Sequence, residues 1–222
     1  MPEARPLPFG VRDCALISRT AGLSSAVNLR EMRERLSQCS PECLFHHLHE
    51  APLRVGFDDP EFRNDLAVWA ARDLRDRVLA ERLGILNPYQ FEDLEILRQH
   101  LVELVDERLA EIPHVPWAPK GREFHFLQAV TVVFDAGLTL EAPEDLSRAL
   151  PGFSTSSVYY HFLEARRRTP DRADDFSVWL RSFSPRTDPW LRQLAQVDYY
   201  FLPLDALRDR LAAILRLEVE HA

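Results

Sequence analysis

Residues 45–51 read FHHLHEA and residues 159–165 read YYHFLEA. The two strings lie 114 residues apart, and a wider self-similarity extends outward from them. Leu36 and Ser40 recur as Leu150 and Ser154 at the same offset. Ala21-Gly22-Leu23 recurs as Ala136-Gly137-Leu138, one residue further on. NDLAVW, from Asn64, recurs as DDFSVW, from Asp174. Leu94, Leu97, Leu101 and Leu104 recur as Leu204, Leu207, Leu211 and Ile214. The matches are collinear and need only small gaps, so the chain reads as two copies of one unit. Between the copies, IPHVPWAPKGRE carries Pro113, Pro116 and Pro119, which lack amide donors and interrupt regular helix. The expected organisation is a helical repeat over 1–111, a Pro-rich linker over 112–123 and a second helical repeat over 124–222, packed as one compact body.

The pattern inside one copy predicts a mainly α fold with two pseudo-symmetric halves. Cys14-Ala15-Leu16-Ile17 and Val130-Thr131-Val132-Val133 are short, apolar and partly β-branched, which suits strands. One such strand alone leaves its backbone groups without partners, so the two are expected to pair across a pseudo-twofold axis as a small two-stranded sheet. An Ala-Gly break follows each strand, and a helix follows over 29–36 and 144–150. Ser40-Pro41-Glu42 then signals a helix start: a capping hydroxyl, a proline in the first turn, and an acid at the positive end. Ser154-Thr155-Ser156 opens the matching helix, and the pair are expected to run to about Arg54 and Arg168. Asp59-Pro60 starts a further helix in copy one, and Pro170 breaks the chain nearby in copy two. The last helix of each copy repeats leucine at a 3.6-residue period, one apolar face.

Composition narrows the function classes. The 222 residues include 46% hydrophobic ones, an ordinary globular share. No apolar run approaches the roughly 18–20 residues of a membrane span. The opening MPEARPLPFG carries prolines and an acid where a secretory leader needs an apolar core, which predicts a cytoplasmic protein. Lys+Arg is 27 against Asp+Glu 35, a net charge of −8, and Lys120 is the lone lysine. A chain of that sign, with no basic stripe, is a poor partner for nucleic acid. Cys14, Cys39 and Cys43 are an odd number and read as reduced thiols.

The strings from Ser154 to Phe162, Glu164-Ala165-Arg166, Asp174 to Leu180 and PWAPKGREFHFLQAVTVVFDAG from Pro116 resemble an uncharacterised bacterial family, domain of unknown function 5752. The resemblance covers nearly the whole chain. It implies no established activity.

The sharpest candidate site is His47, Glu50 and Arg54 with Asp65 and Trp69, repeated as His161, Glu164, Arg168, Asp175 and Trp179. On a continuous helix, i, i+3 and i+7 share a face, so His, Glu and Arg would line up with an Asp approaching from the next helix. Such sets hold metals in helical proteins, and His47, Asp65, His161 and Asp175 are the candidate ligands of a divalent metal. The bland alternative is equally concrete: Glu50 and Arg54 form a solvated i,i+4 pair, Asp65 and Asp175 favour their helix starts, and each His bridges groups in a core.

Cys39, Cys43, His46, His47 and His49 bring thiols near imidazoles, as zinc sites do. Phe153, Ser157, Tyr160, His161 and Leu163 stand at the matching positions, which favours buried apolar thiols. Cys43 with His47, or Ser157 with His161, has nucleophile spacing but no turn to supply an oxyanion hole. Tyr159, Tyr160, Phe162, Trp190, Tyr199, Tyr200 and Phe201 suit either a core or a stacked sugar.

With no nucleotide fingerprint and no complete catalytic set, the expected function is non-catalytic binding or accessory work, with a small polar ligand, a carbohydrate or a protein as partner and neither nucleic acid nor membrane. The alternative is a metal-dependent hydrolase in which Glu50 or Glu164 is the general base.

Overall fold

The structure is a computed structural model that describes residues 6–53 and 61–216. The chain is mainly helical, with one two-stranded antiparallel sheet. In order, β1 (Phe9–Thr20) precedes α1 (Leu29–Gln38), α2 (Pro41–Phe45), α3 (Asp65–Arg72), α4 (Arg77–Gly84) and α5 (Leu94–Glu111). Then β2 (Leu127–Leu140) precedes α6 (Pro143–Ala149), α7 (Thr155–Val158), α8 (Ala165–Arg168), α9 (Asp175–Leu180), α10 (Asp188–Leu194) and α11 (Leu204–Arg216).

The expected pairing of the two strands is present, in strands longer than the sequence suggests. Polar Arg12, Asp13, Ser18 and Arg19 hide the length of β1. The Ala-Gly break holds after β1, where Gly22 takes φ 77°. It does not end β2, which passes through Gly137 at φ 72° and continues to Leu140. Lacking a Cβ, glycine enters this left-handed region without steric cost, so the strand turns locally rather than stopping.

The helices entered at Ser40 and Ser154 are not the continuous α-helices expected. Each capping hydroxyl accepts from the amide three residues on, Cys43 at 3.2 Å and Ser157 at 2.9 Å, and each helix starts as read. After one turn the backbone widens into π-helix over His46–Glu50 and Tyr159–Glu164. Bonding from i to i+5 rotates later side chains away from the α register. The i, i+3, i+7 alignment of His47, Glu50 and Arg54 therefore fails, and Arg54 itself lies outside the described residues, as do Asp59 and Pro60.

The chain divides into a continuous unit, residues 16–130, and a split unit, residues 1–15 with 131–222. The expected boundary, over 112–123, falls within the continuous unit. The reason is hydrogen bonding: Ala118 donates to Val27, and Phe124 and Ala26 exchange amide bonds, so this Pro-rich segment is stitched to the chain before α1.

The continuous unit buries Leu29, Met32 and Leu36 of α1 with Leu97, Leu101 and Val105 of α5, and Leu66 and Trp69 of α3 with Leu79 and Leu83 of α4. The split unit buries Phe9 and Val11 of β1, Phe162, Phe176 and Leu180, and Leu204, Leu207, Leu211 and Ile214 along α11. Each fully buried Leu or Phe side chain contributes about 1.5–3 kcal/mol. Along β2, residues 132–139 are exposed, Val132, Val133, Phe134 and Leu138 among them.

Candidate functional site

In the continuous unit, Asn64 caps α3 by accepting from Ala67 at 2.9 Å, and its amide donates to Leu83 at 2.9 Å. That cap holds Asp65 in the first turn, facing the π segment. His47 Nδ1 lies 2.5 Å from Asp65 Oδ2, and His47 Nε2 accepts from the Leu127 amide at 2.9 Å. One turn along α3, Trp69 Nε1 donates to the Arg122 carbonyl at 2.8 Å. His47 and Trp69 thus grip the chain on its way into β2.

The split unit holds the same arrangement. Asp174 caps α9 by accepting from Ser177 at 2.8 Å, leaving Asp175 in the first turn. His161 Nδ1 lies 2.8 Å from Asp175 Oδ2, and Nε2 accepts from the Arg12 amide at 2.8 Å. Trp179 Nε1 donates to the Leu7 carbonyl at 2.9 Å. Here the gripped segment is the start of β1 and the residues leading into it.

Chemistry follows from which atoms these are. A backbone N–H can only donate, so each Nε2 presents its lone pair. The neutral ring then carries its proton on Nδ1 and donates it to Asp65 or Asp175. Both nitrogens are thereby committed, leaving no lone pair for a metal and no proton to exchange with a substrate while the strand stays docked. Among the described residues, no group of three or more His, Cys, Asp and Glu is placed to hold a metal.

The remaining candidates separate. Glu50 pairs with His46 Nδ1 at 2.9 Å, not with His47. Glu164 pairs with Arg167 at 3.4 Å. Arg168 does join the set: its Nη2 donates to Asp175 at 3.0 Å and to the Tyr160 carbonyl at 2.9 Å, with its guanidinium 4.1 Å over the Tyr160 ring. Burial pushes the Asp174 carboxyl up, against the Arg166 charge and the Ser177 donors. Ser157 is no nucleophile partner of His161. Its hydroxyl donates to the Arg12 carbonyl at 2.7 Å, so Ser157 and His161 clamp both backbone groups of one residue. Sequence spacing put Ser157 beside His161 but could not reveal a backbone group 145 positions away as its target.

The thiol and imidazole group likewise disperses. His49 stacks on Phe45 at 4.6 Å and meets Tyr89 edge-on. Cys14, Cys39 and Cys43 are all buried and in no disulfide. Arg98 Nη1 donates to the Leu36 carbonyl at 2.7 Å and to Cys39 Sγ at 3.4 Å. The Cys43 hydrogen bond and the Arg98 charge hold the Cys39 thiol down at about 7, against the opposing effect of burial. The Cys39 hydrogen bond and burial push Cys43 up. Of the aromatic residues, Tyr159, Phe162, Trp190 and Tyr200 are buried, and Arg166 lies over Phe162 and Tyr199, so most of the set packs a core.

No helix among the described residues is long and apolar enough to cross a membrane. No curated protein matches the chain. Among solved structures, OrfY from Thermoproteus tenax is similar with a TM-score of 0.76 and 24% identity, over 98% of this chain and 99% of that one. That likeness speaks to fold alone. The model of the family of unknown function DUF5752 matches residues 6–216, and the chain belongs to that family.

Proposed function

We propose that this chain is a non-catalytic binding or accessory protein, working in the cytoplasm on a protein or small polar partner. One observation carries the reading: among the described residues, the His, Asp and Trp set that occurs twice is committed to holding backbone. His47 and His161 each join an aspartate to a strand amide, and Trp69 and Trp179 each take a carbonyl just upstream. A general base or metal ligand needs a nitrogen that these bonds already use.

The same bonds support reading the chain as a duplicated unit, with repeats over 1–111 and 124–222 in pseudo-twofold relation. On that reading the helices of each repeat grip the strand lead-in of the other, because Leu127 lies in repeat two and Arg12 in repeat one.

The test is elemental analysis of the purified protein and of the His47→Ala/His161→Ala variant, alongside their denaturant unfolding. The reading expects metal well below one equivalent in both proteins and a large loss of stability in the variant. Stoichiometric zinc, iron or manganese that leaves with the two histidines while the fold persists would overturn it in favour of the metal-dependent hydrolase.

A further inference from the structure

The continuous unit carries two adjoining hollows that the histidine anchors do not use. One, of about 340 Å³, is lined by Arg75, Asp76, Arg77, Arg108, Ile112 and His114 among others. The second, of about 320 Å³, is lined by Asn28, Arg30, Pro113, His114, Val115 and Trp117. His114 lines both, so the two hollows are neighbours.

Four cationic or cation-capable groups gather there on a chain of net charge −8. Two already have partners. Arg108 holds Asp76 through Nε at 2.9 Å and Glu111 through Nη1 at 3.0 Å, and Arg77 pairs with Glu61 at 2.9 Å. Asp76, the one acid in the lining, is buried and committed to Arg108 and to the Leu79 amide. Arg75 and His114 are exposed and make no hydrogen bond or ion pair among the described residues. Arg30, in the second hollow, is also exposed and has none. Arg75 further sits at φ 56°, a left-handed conformation that disfavours side-chain-bearing residues and suits glycine. Beside these donors Trp117 is 67% exposed, an indole face with solvent over it.

Free guanidinium forks with an imidazole are the chemistry that recognises oxyanions, and an exposed indole is the chemistry that stacks a ring. We propose that the hollows sharing His114 form one binding site for a small phosphorylated ring compound of the mononucleotide class. Its phosphate is held by Arg75 and His114, and its ring lies against Trp117 beside Arg30. The assignment rests on the binding-protein reading, whose ligand class it names.

Calorimetric titration of the full chain with inorganic phosphate, adenosine monophosphate and uncharged adenosine tests it. Arg75→Gly removes the guanidinium and suits the backbone at that position, and Arg75, His114 and Trp117 are all exposed, so the fold is expected to survive each change. Adenosine monophosphate should bind saturably to the wild-type chain. Arg75→Gly and His114→Gln should each weaken it and phosphate by about tenfold or more. Trp117→Ala should weaken the nucleotide and leave inorganic phosphate unchanged. Absence of saturable binding, or binding that ignores Arg75→Gly and His114→Gln in proteins with unchanged unfolding midpoints, overturns the site. Elemental analysis reads the wider reading independently: a metal-free chain that binds no phosphate loses this site alone.

Discussion

His47 and His161 make the same bonds with the same atoms, yet their surroundings differ in ways that can be measured. At His161 the neighbouring Ser157 takes the carbonyl of the residue whose amide His161 accepts, and Arg168 joins Asp175 from outside. At His47 the position of Ser157 is filled by Cys43, whose thiol hydrogen-bonds Cys39 instead. One anchor is a closed clamp on a strand. The other is a single-point bond whose neighbour belongs to a buried thiol pair. The shared part is what docking a strand onto a helical layer requires: an acceptor for an inward amide and an orienting acid behind it. The unshared part shows how much of the local chemistry is free to vary around that requirement.

The strongest way to break the comparison is to remove the imidazoles. His161→Ala and His47→Ala should each cost about 3–5 kcal/mol, because a partly buried amide and a largely buried carboxylate lose their common partner and the buried ring leaves a cavity. Denaturant unfolding reads both. Asp175→Asn and Asp65→Asn sharpen the test, since an Nδ1–H needs only a neutral acceptor. Each should cost about 1 kcal/mol. A loss near that of the histidine variants would show that the ring is charged rather than neutral with its proton on Nδ1.

Next in size is the clamp itself. Ser157→Ala should cost about 1–2 kcal/mol by leaving the Arg12 carbonyl without its hydroxyl. Cys43→Ser, which brings the His161-type neighbour to His47, tests whether sequence similarity alone transfers the clamp. The expected result is no gain, because the Cys43 side chain is engaged with Cys39. A gain comparable to the Ser157 loss would mean that the two anchors are interchangeable.

Much of this was legible in the sequence. The helix starts at Ser40 and Ser154 declared themselves because capping is local, and the last-helix leucines because a 3.6-residue period is local. The pairing of two lone strands followed from the need to satisfy their amides. The π segments were not legible: FHHLHEA and YYHFLEA have nothing in composition that distinguishes an i+5 from an i+4 bond, and the widening turned Glu50 to His46 instead of along the His47 face. Nor were the targets of His47 and His161 legible, because they are backbone amides of Leu127 and Arg12, and any side chain would serve there. Spacing gathered the right imidazoles and aspartates but could not say that the far nitrogen of each ring meets a main-chain amide.

The smallest effect separates the two units by pH. The folded Cys39 thiol, at about 7, lies below its ordinary 9.0 because of the Cys43 hydrogen bond and the Arg98 charge. A depressed folded value means that the thiolate adds stability in full above pH 9.0 and loses it as pH falls through about 7. Phe153 and Ser157 occupy the matching positions of the split unit. Wild-type unfolding free energy should therefore rise between pH 7 and 9.0 relative to Cys39→Ala, and Arg98→Met should flatten the rise by returning Cys39 toward its ordinary value. The Ser157→Ala loss should stay constant over the same range, because the hydroxyl and the Arg12 carbonyl do not titrate. If the Ser157→Ala loss tracked pH as the Cys39→Ala difference does, the titrating group would lie in the shared anchor rather than in the thiol pair that distinguishes His47 from His161.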